Sequence, residues 1–406
     1  MIALLGFGKT NQALLEYINA QGIRCVVCDD GLEGEREDEF GNIFTYDLKH
    51  HITTLQIPSP GIPPYNPMIK NAKNLLSEYD YILSQIQAMQ IWISGTNGKT
   101  TTTEMLEWLL RDFGGVSGGN IGTPLATLAR QKPKIWILET SSFSLHYTKR
   151  VFPHCYILLP LSEDHILWHG SFESYIEDKL SVLARMGEAD VAFIPKALCA
   201  HPLIKNYKGR LYLYENSKDL AEFFGVELKS IPFKEPFLLD ALLALNGAEV
   251  VCGQKRIQEI ENYKIGEHKI QEFRDKEGRI WVNDSKGTNA DATIWALRNY
   301  KQKKIYLILG GEDKGADLSS LFEEMKAGKV EVFAIGKNAL KLKELCDAYH
   351  IPCKICNILE NAVKEIHSIH TQKSIALLSP AAASLDQFHS YKHRGEEFMH
   401  IVQSLR

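Results

Sequence analysis

The sequence predicts an α/β chain built as three units around parallel sheets. Three observations carry that expectation. Short β-branched runs alternate with amphipathic stretches from end to end, the pattern of strands covered by helices. Two glycine-rich turns, Gly6-Phe7-Gly8 and Gly95-Thr96-Asn97-Gly98, each follow an apolar run and precede a helical stretch. A chain of 406 residues, at about 150 per domain, holds two to three domains.

The first unit, residues 1–88, opens with a strand at residues 2–5, a glycine turn and a helix near residues 11–21. Residues 24–28 read as a second strand ending on Asp29 and Asp30. Pro58, Pro60, Pro63, Pro64 and Pro67 stiffen the loop beyond it, and residues 81–83 read as a further short strand. The second unit, residues 89–264, begins with a strand at 91–94 and continues with strands at 135–139, 155–159 and 191–194. The third, residues 265–406, places strands at 280–283, 304–309, 330–335 and 375–378. The layout is Rossmann-like in the first unit, P-loop ATPase-like with a mostly parallel sheet in the second, and Rossmann-like again in the third. Linkers are expected near residues 85–90 and 263–266.

Composition narrows the function classes. Apolar residues at 45% and charged residues at 24% exclude disorder and collagen-like repeats. With 46 basic and 50 acidic side chains the net charge is −4, and no long basic run argues for a nucleic-acid partner. Small phosphorylated ligands need only a few local donors and stay open. Cys25/Cys28 and Cys353/Cys356 are spaced Cys-x-x-Cys, but both pairs lie in apolar strand-like runs where residues three apart point to opposite faces. Reduced core thiols are expected there rather than zinc. The start, MIALLGFGKTNQALL, lacks a basic n-region, and no run of 18 apolar residues exists. A soluble, cytoplasmic monomer is expected.

The strongest chemical signal is IWISGTNGKTTT at residues 91–102: an apolar strand, a glycine turn, then Lys-Thr opening a helix. Backbone N–H groups and the helix dipole face phosphate oxygens, Lys99 reaches the β/γ-phosphates, and the Thr100 hydroxyl suits Mg²⁺. The spacing is the shorter G-x-x-G-K-T, with Ile93 where the full Walker pattern has glycine. Gly6-Phe7-Gly8-Lys9-Thr10-Asn11 begins like the dinucleotide fingerprint, but Asn11 replaces its third glycine. It is weak evidence for NAD and better evidence for a nucleotide-like anion, with Asp29 or Asp30 placed for a ribose. Glu139, in LETSSF, and Asp164-His165, in LSEDH, stand at strand ends where α/β sheets open their ligand crevice. His165 and His169 lack the Glu of H-E-x-x-H, which excludes a zinc protease of that type. In the last unit three polar loops, NDSKGTN, LGGEDK and LSPAAASLDQF, follow apolar strands and are expected at one sheet edge.

Taken together, ISGTNGKTTT, GGNIGTPL, LETSSFSL, LSEDHILWHGSFESYIEDK, VNDSKGTNADAT, LGGEDKGADLS and LSPAAASLDQFHSYKHRGEEF resemble the Mur ligase family, from residue 91 to residue 398. SPGIPP at residues 59–64 resembles the loop of that family's amino-terminal domain. GTNGKT alone fits a folylpolyglutamate synthase as well; NDSKGTN, LGGEDK and SPAAASLDQF point to the member that adds D-glutamate. The resemblance implies an ATP-dependent amide ligase joining D-glutamate to UDP-N-acetylmuramoyl-L-alanine through an acyl phosphate.

It also implies roles by position. Gly95, Thr96, Asn97, Gly98, Lys99, Thr100 and Thr101 would hold ATP phosphates, with Lys269 and Asp284 meeting the rest of the nucleotide. Thr100, Glu139, His165 and Lys179 would ligate two Mg²⁺ ions, Lys179 as a carbamate. Lys99, His165 and Lys179 would be the catalytic set. Gly8, Lys9, Thr10, Asp29, Asp30, Ser59, Gly61, Asn120 and Ser141 would contact the UDP-linked substrate. Lys286, Thr288, Lys314, Ser379 and Phe388 would form the D-glutamate pocket. Two departures stand out: Ile166-Leu167-Trp168-His169 replaces the family's L-D-R-H, and Lys269 replaces an arginine, turning a bidentate fork into a point charge.

Overall fold

The computed structural model describes residues 1–120, 122–312, 315 and 317–405. Its chain forms two compact units, Met1–Tyr263 and Lys264–Arg406. The first unit carries two sheets. One contains β1 (Ile2–Leu5), β2 (Cys25–Cys28), β3 (Glu35–Glu37), β4 (Ile43–Thr45) and β5 (Leu55–Pro58), ordered β3-β4-β2-β1-β5. Its pairs are parallel except β3–β4. The other contains β6 (Met89–Ser94), β7 (Gly115–Gly119), β8 (Ile135–Glu139), β9 (Cys155–Leu158), β10 (Val191–Pro195) and β11 (Arg210–Tyr214). Its order is β11-β10-β9-β6-β8-β7, and every pair is parallel.

The order of the second sheet positions the site. β6 lies between β8 and β9, so the chain leaves β6 toward one side and returns to the other. That reversal opens a crevice at the carboxyl ends of the three strands, where Ser94, Glu139 and Leu158 stand. The second unit repeats the theme with β12 (Gln271–Arg274), β13 (Ile280–Asn283), β14 (Lys304–Gly310), β15 (Val330–Ile335), β16 (Cys353–Asn357) and β17 (Ser374–Leu378). Their order is β12-β13-β17-β14-β15-β16, with only β12–β13 antiparallel. The expected α/β architecture with mostly parallel sheets is what the chain adopts.

Strands flanked by helices on both faces are buried on both faces, and the sequence shows it: CVVC, ILL-type runs and SIALL are continuous apolar stretches without alternation. Cys25 and Cys28 are buried in β2, where burial pushes their thiols up to about 12 and about 11. One reading needs correction, and one strand went unread. Residues 81–83 end a helix, Glu78–Leu83, rather than forming a strand. Ser77 caps that helix by accepting the Asp80 N–H at 2.9 Å, and Tyr79, Ile82 and Leu83 supply the apolar face. The edge strand GVSGG is an element the propensities hide. A Cβ at Gly118 would lie 3.0 Å from both Leu128 Cδ2 and the Thr123 carbonyl oxygen, so close helix packing excludes the side chains that usually mark a strand.

Asn11 explains the incomplete fingerprint. Its buried side-chain amide donates to the carbonyls of Leu5 (3.0 Å), Gly6 (2.8 Å) and Ile57 (3.4 Å), pinning the turn after β1 to the end of β5. Glycine there would restore the dinucleotide pattern and lose all three bonds. Asn11→Gly is expected to lower the stability of the Met1–Tyr263 unit by about 2 kcal/mol, read as a shifted urea midpoint. An unchanged midpoint would mean that the amide does not hold the turn.

Candidate active site

The phosphate loop follows directly from β6. Gly98, at φ +81°, is the residue before the helix Lys99–Leu110, and a Cβ there would sit 2.3 Å from Asp240 Oδ1. Only glycine gives the turn both the left-handed backbone and the close approach. The helix therefore starts at Lys99 with no side-chain cap, leaving its first N–H groups for an anion. Lys99 Nζ folds back onto the carbonyls of Gly95 and Thr96, each at 2.9 Å. Burial lowers its pKa, opposed by Glu139 and Asp164. Thr96 turns inward: its hydroxyl donates to Ser162 O at 3.0 Å and lies 2.9 Å from Tyr175 OH, while its N–H reaches Pro160 O. Thr96 thus anchors the loop to the segment after β9 and to the helix Phe172–Leu180.

Lys179 arrives from the helix Phe172–Leu180 and is almost fully buried. Its Nζ donates to Gly95 O at 3.0 Å and Ser94 Oγ at 3.1 Å, so two lysine ammoniums meet at one carbonyl oxygen. Burial, then the charge of Lys99, pulls the Lys179 pKa well below that of an ordinary lysine. Across the crevice, Glu139 ends β8. Its Oε1 accepts Asn120 Nδ2 at 2.7 Å, while the buried Oε2 has no hydrogen-bond partner among the described residues. A buried carboxylate oxygen facing a phosphate loop without a donor fits a cation such as Mg²⁺. Among the described residues no three His, Cys, Asp or Glu side chains form a ready metal cage. An ion here must draw on phosphate oxygens, water and the hydroxyl of Thr100. Lys179, as an amine that donates to two oxygens, does not fit a cation unless it is chemically altered.

His165 precedes the one-turn helix Ile166–His169 in a left-handed conformation, φ +56°. Its N–H donates to Asp164 Oδ1 at 2.9 Å, and its ring lies 4.7 Å from that of Phe143. Asp178, one residue before Lys179, sits between two imidazoles: His146 Nδ1 at 2.9 Å and His169 Nδ1 at 2.8 Å. His169 Nε2 continues to Ser142 Oγ at 2.9 Å. These bonds fix the helix that aims Lys179 into the crevice. Ser141, the cap of the helix Ser142–Tyr147, accepts the Ser144 N–H at 3.0 Å.

A cavity of about 220 Å³ lies at the carboxyl end of β1, lined by Gly6, Gly8, Asp29, Asp30, Ser59, Gly61 and their neighbours. Asp29 has a structural task, its Oδ2 accepting the Phe7 N–H at 2.6 Å and its Oδ1 the Gly31 N–H at 2.9 Å. Asp30 is exposed at the same rim. Lys9 and Thr10 open the helix Lys9–Asn19, whose preceding Gly8 makes no side-chain cap.

In the second unit the three polar loops meet at one sheet edge. Gly287 O accepts the Ala381 N–H at 2.9 Å, and Ala383 O accepts the Glu312 N–H at 3.0 Å. Asp284 is buried, with Oδ2 accepting Ser379 Oγ at 2.6 Å and Oδ1 accepting the Ile270 N–H at 3.2 Å. Ser379, expected to face D-glutamate, is fully buried with its hydroxyl spent on Asp284 and Thr293. Lys286 lies 5.7 Å from the Tyr391 ring centroid, and Phe388 packs against His393. Thr288, in the first of these loops, and Lys269, just before β12, are both half-buried. Lys314 lies outside the described residues.

Several residues here were not picked out from the sequence. Arg394 is 1% exposed and donates to Ser285 Oγ, Ser285 O, Ala382 O and Ala383 O, stitching the loops after β13 and β17 together. Its signal was available: Arg394, Phe398 and Val402 fall four apart on the apolar face of the helix Tyr391–Ser404, where an arginine is out of place unless it is bonded. Asp178 with its two histidines carried no signal that spacing reveals, and Trp168 stood out in the sequence only as a departure from the family pattern.

The Mur ligase middle domain family matches residues 93–219. The UDP-N-acetylmuramoylalanine–D-glutamate ligase of Campylobacter jejuni (strain RM1221) is 44% identical over the full length of both chains. That of Helicobacter pylori (strain ATCC 700392 / 26695) is 44% identical over 99% of each. Among solved structures, MurF from Acinetobacter baumannii matches at TM-score 0.59 and 15% identity, covering 98% of this chain and 93% of that one. UDP-N-acetylmuramate-alanine ligase MurC from Thermotoga maritima matches at 0.58 and 15%, covering 98% of both. These structures share the fold.

Burial raises the Asp284 carboxyl from 3.8 to about 7, against the pull of Ser379, the Ile270 N–H and Arg394. The folded protein then holds this proton more tightly than the unfolded chain does. The group's contribution to stability is complete below about pH 4 and is lost as pH rises through about 7. Asp284→Asn is expected to flatten that slope and stabilise the Lys264–Arg406 unit by on the order of 2 kcal/mol at about pH 8. Urea melts from about pH 5 to about pH 8 that keep the wild-type slope would contradict the assignment.

Proposed function

This chain belongs to the Mur ligase family, among the UDP-N-acetylmuramoylalanine–D-glutamate ligases, and from that premise we propose how its residues perform the ligation. The reaction is the ATP-dependent joining of D-glutamate to UDP-N-acetylmuramoyl-L-alanine in peptidoglycan precursor synthesis. The observation that carries the reading is the crevice itself. An uncapped helix start, Lys99, and the unpartnered Glu139 Oε2 converge at the carboxyl ends of adjacent strands.

The first step forms a bond between the L-alanyl carboxylate oxygen and the γ-phosphorus as the bond to ADP breaks. The helix N–H groups and Lys99 hold the phosphates in line and offset the charge that moves to the leaving oxygen. Thr100 and Glu139 would hold one Mg²⁺ ion, and His165 with a carbamylated Lys179 a second; bound there, the ions would supply charge to offset the phosphates. In the second step the D-glutamate amine attacks the acyl carbon. A carbon–nitrogen bond forms, the nitrogen sheds a proton, and the tetrahedral intermediate expels phosphate. Lys286, Thr288, Lys314, Ser379 and Phe388 are assigned to D-glutamate, whose two carboxylates the lysines offset. Asn97, Gly95, Gly98 and Thr101 complete the phosphate loop, with Lys269 and Asp284 assigned to the nucleotide.

The cavity beside β1 takes the uridine diphosphate, through Gly8, Lys9, Thr10, Asp30, Ser59 and Gly61, while Asn120 and Ser141 meet the muramoyl-alanine end. Asp29 supports the turn from behind. The domains are read as residues 1–88 for the UDP-linked substrate, 89–264 for ATP and 265–406 for the amino acid. We place the enzyme in the cytoplasm as a monomer; among the described residues no helix is long and apolar enough to cross a membrane.

Carbamylation of Lys179 has a physical basis. A neutral amine adds CO₂ with loss of one proton, and burial and the neighbouring Lys99 both favour that neutral form of Lys179. The product replaces a like-charge contact with an anion beside Lys99. Protein incubated with ¹³C-bicarbonate is expected to show one carbamate carbon resonance that Lys179→Arg removes; a resonance that survives the substitution would place the carbamate elsewhere.

The function itself is tested by phosphate release. It is expected only when ATP, UDP-N-acetylmuramoyl-L-alanine and D-glutamate are all present, and Lys99→Ala should slow it at least about 100-fold. Release with another amino acid in place of D-glutamate would overturn the acceptor assignment.

A further inference from the structure

Residues 59–64 form one wall of the β1 cavity through Ser59, Gly61 and Ile62. The wall is fastened from the opposite sheet. The Trp168 indole Nε1–H donates to Gly61 O at 3.1 Å, and the Tyr147 hydroxyl donates to Ile62 O at 2.7 Å. Ile62 in turn packs onto the turn after β1, with its Cδ1 2.7 Å from where a Gly6 Cβ would stand. Two successive carbonyls of the loop are thus held by donors from the catalytic crevice.

Trp168 is built into that crevice. It lies on the one-turn helix after His165, and its ring centroid is 4.5 Å from His169, 4.6 Å from Phe143 and 5.2 Å from His146. The same His169 and His146 grip Asp178, the neighbour of Lys179. Where the family pattern has a charged residue, this chain has a flat ring with one neutral N–H.

We propose that Trp168 is a positioning residue for the UDP-linked substrate, holding loop 59–64 against the cavity through its bond to Gly61 while its ring registers that loop to the His165 segment. This rests on the reading that the cavity takes the UDP moiety. An indole tie carries no charge, so its contribution does not fade with salt as an arginine tie would. Removing the N–H frees the loop and weakens ground-state binding, leaving the phosphate loop intact.

Calorimetric titration of UDP-N-acetylmuramoyl-L-alanine into the full chain, paired with steady-state kinetics, tests this. Trp168→Phe keeps a ring and deletes the N–H; the dissociation constant and the KM for the UDP-linked substrate are expected to rise about fivefold. Under the same conditions kcat and the KM for ATP should move less than about twofold. Tyr147→Phe, which removes only a hydroxyl, should give the same split, and the double variant should lose at least about tenfold. Wild-type affinity in both single variants and in the double variant would overturn the proposal. So would a fall in kcat with the KM unchanged, which would move Trp168 into the chemistry. A wild-type chain that does not bind the UDP-linked substrate would instead overturn the reading of the cavity.

Discussion

Two ammonium groups share one carbonyl oxygen. Lys99 and Lys179 both donate to Gly95 O, and Lys179 is buried away from the water that would screen it. Coulomb repulsion between like charges a few ångströms apart grows as the local dielectric falls. The surroundings answer it with anions held at strand ends: Glu139 at the end of β8 and Asp164 beyond β9 both act on the two lysines. The parallel sheet makes this possible by bringing three carboxyl strand ends side by side. Substrate phosphates, or a carbamate on Lys179, would supply the remaining negative charge.

The phosphate loop was legible in the sequence because all of its parts are local. An apolar strand, two glycines and Lys-Thr within a dozen residues specify a turn whose geometry only glycine permits. Glu139 was legible for a related reason: an acid that ends a buried strand has one place to go, the crevice. The six-residue apolar runs likewise announced strands covered on both faces.

What stayed hidden depends on partners far along the chain. Asn11 looks like a defect in a fingerprint until Ile57, 46 residues away, is seen to need its amide. Trp168 meets Gly61 across 107 residues, and Arg394 meets Ser285 across 109. The strand GVSGG fails every propensity because helix packing at Gly115 and Gly118 leaves no room for a β-branched side chain. The helix Glu78–Leu83 was misread because its cap is a single serine and its apolar face too short to show a period. The inward bonds of the Ser379 and Thr96 hydroxyls, to Asp284 and Thr293 and to Ser162, likewise join segments far apart in the chain.

The buried guanidinium of Arg394 has a consequence for how this protein can be divided. Its donors are spent on one hydroxyl and three backbone carbonyls, all in the loops that carry Lys286 and Ser379. The final helix is therefore the fastener of the loops after β13 and β17 rather than a trailing ornament. A shortened version ending before residue 394 would keep every strand of its sheet yet lose the four bonds by which one guanidinium joins Ser285 to Ala382 and Ala383. Such a fragment would fold as a sheet whose two loops are no longer fastened to each other.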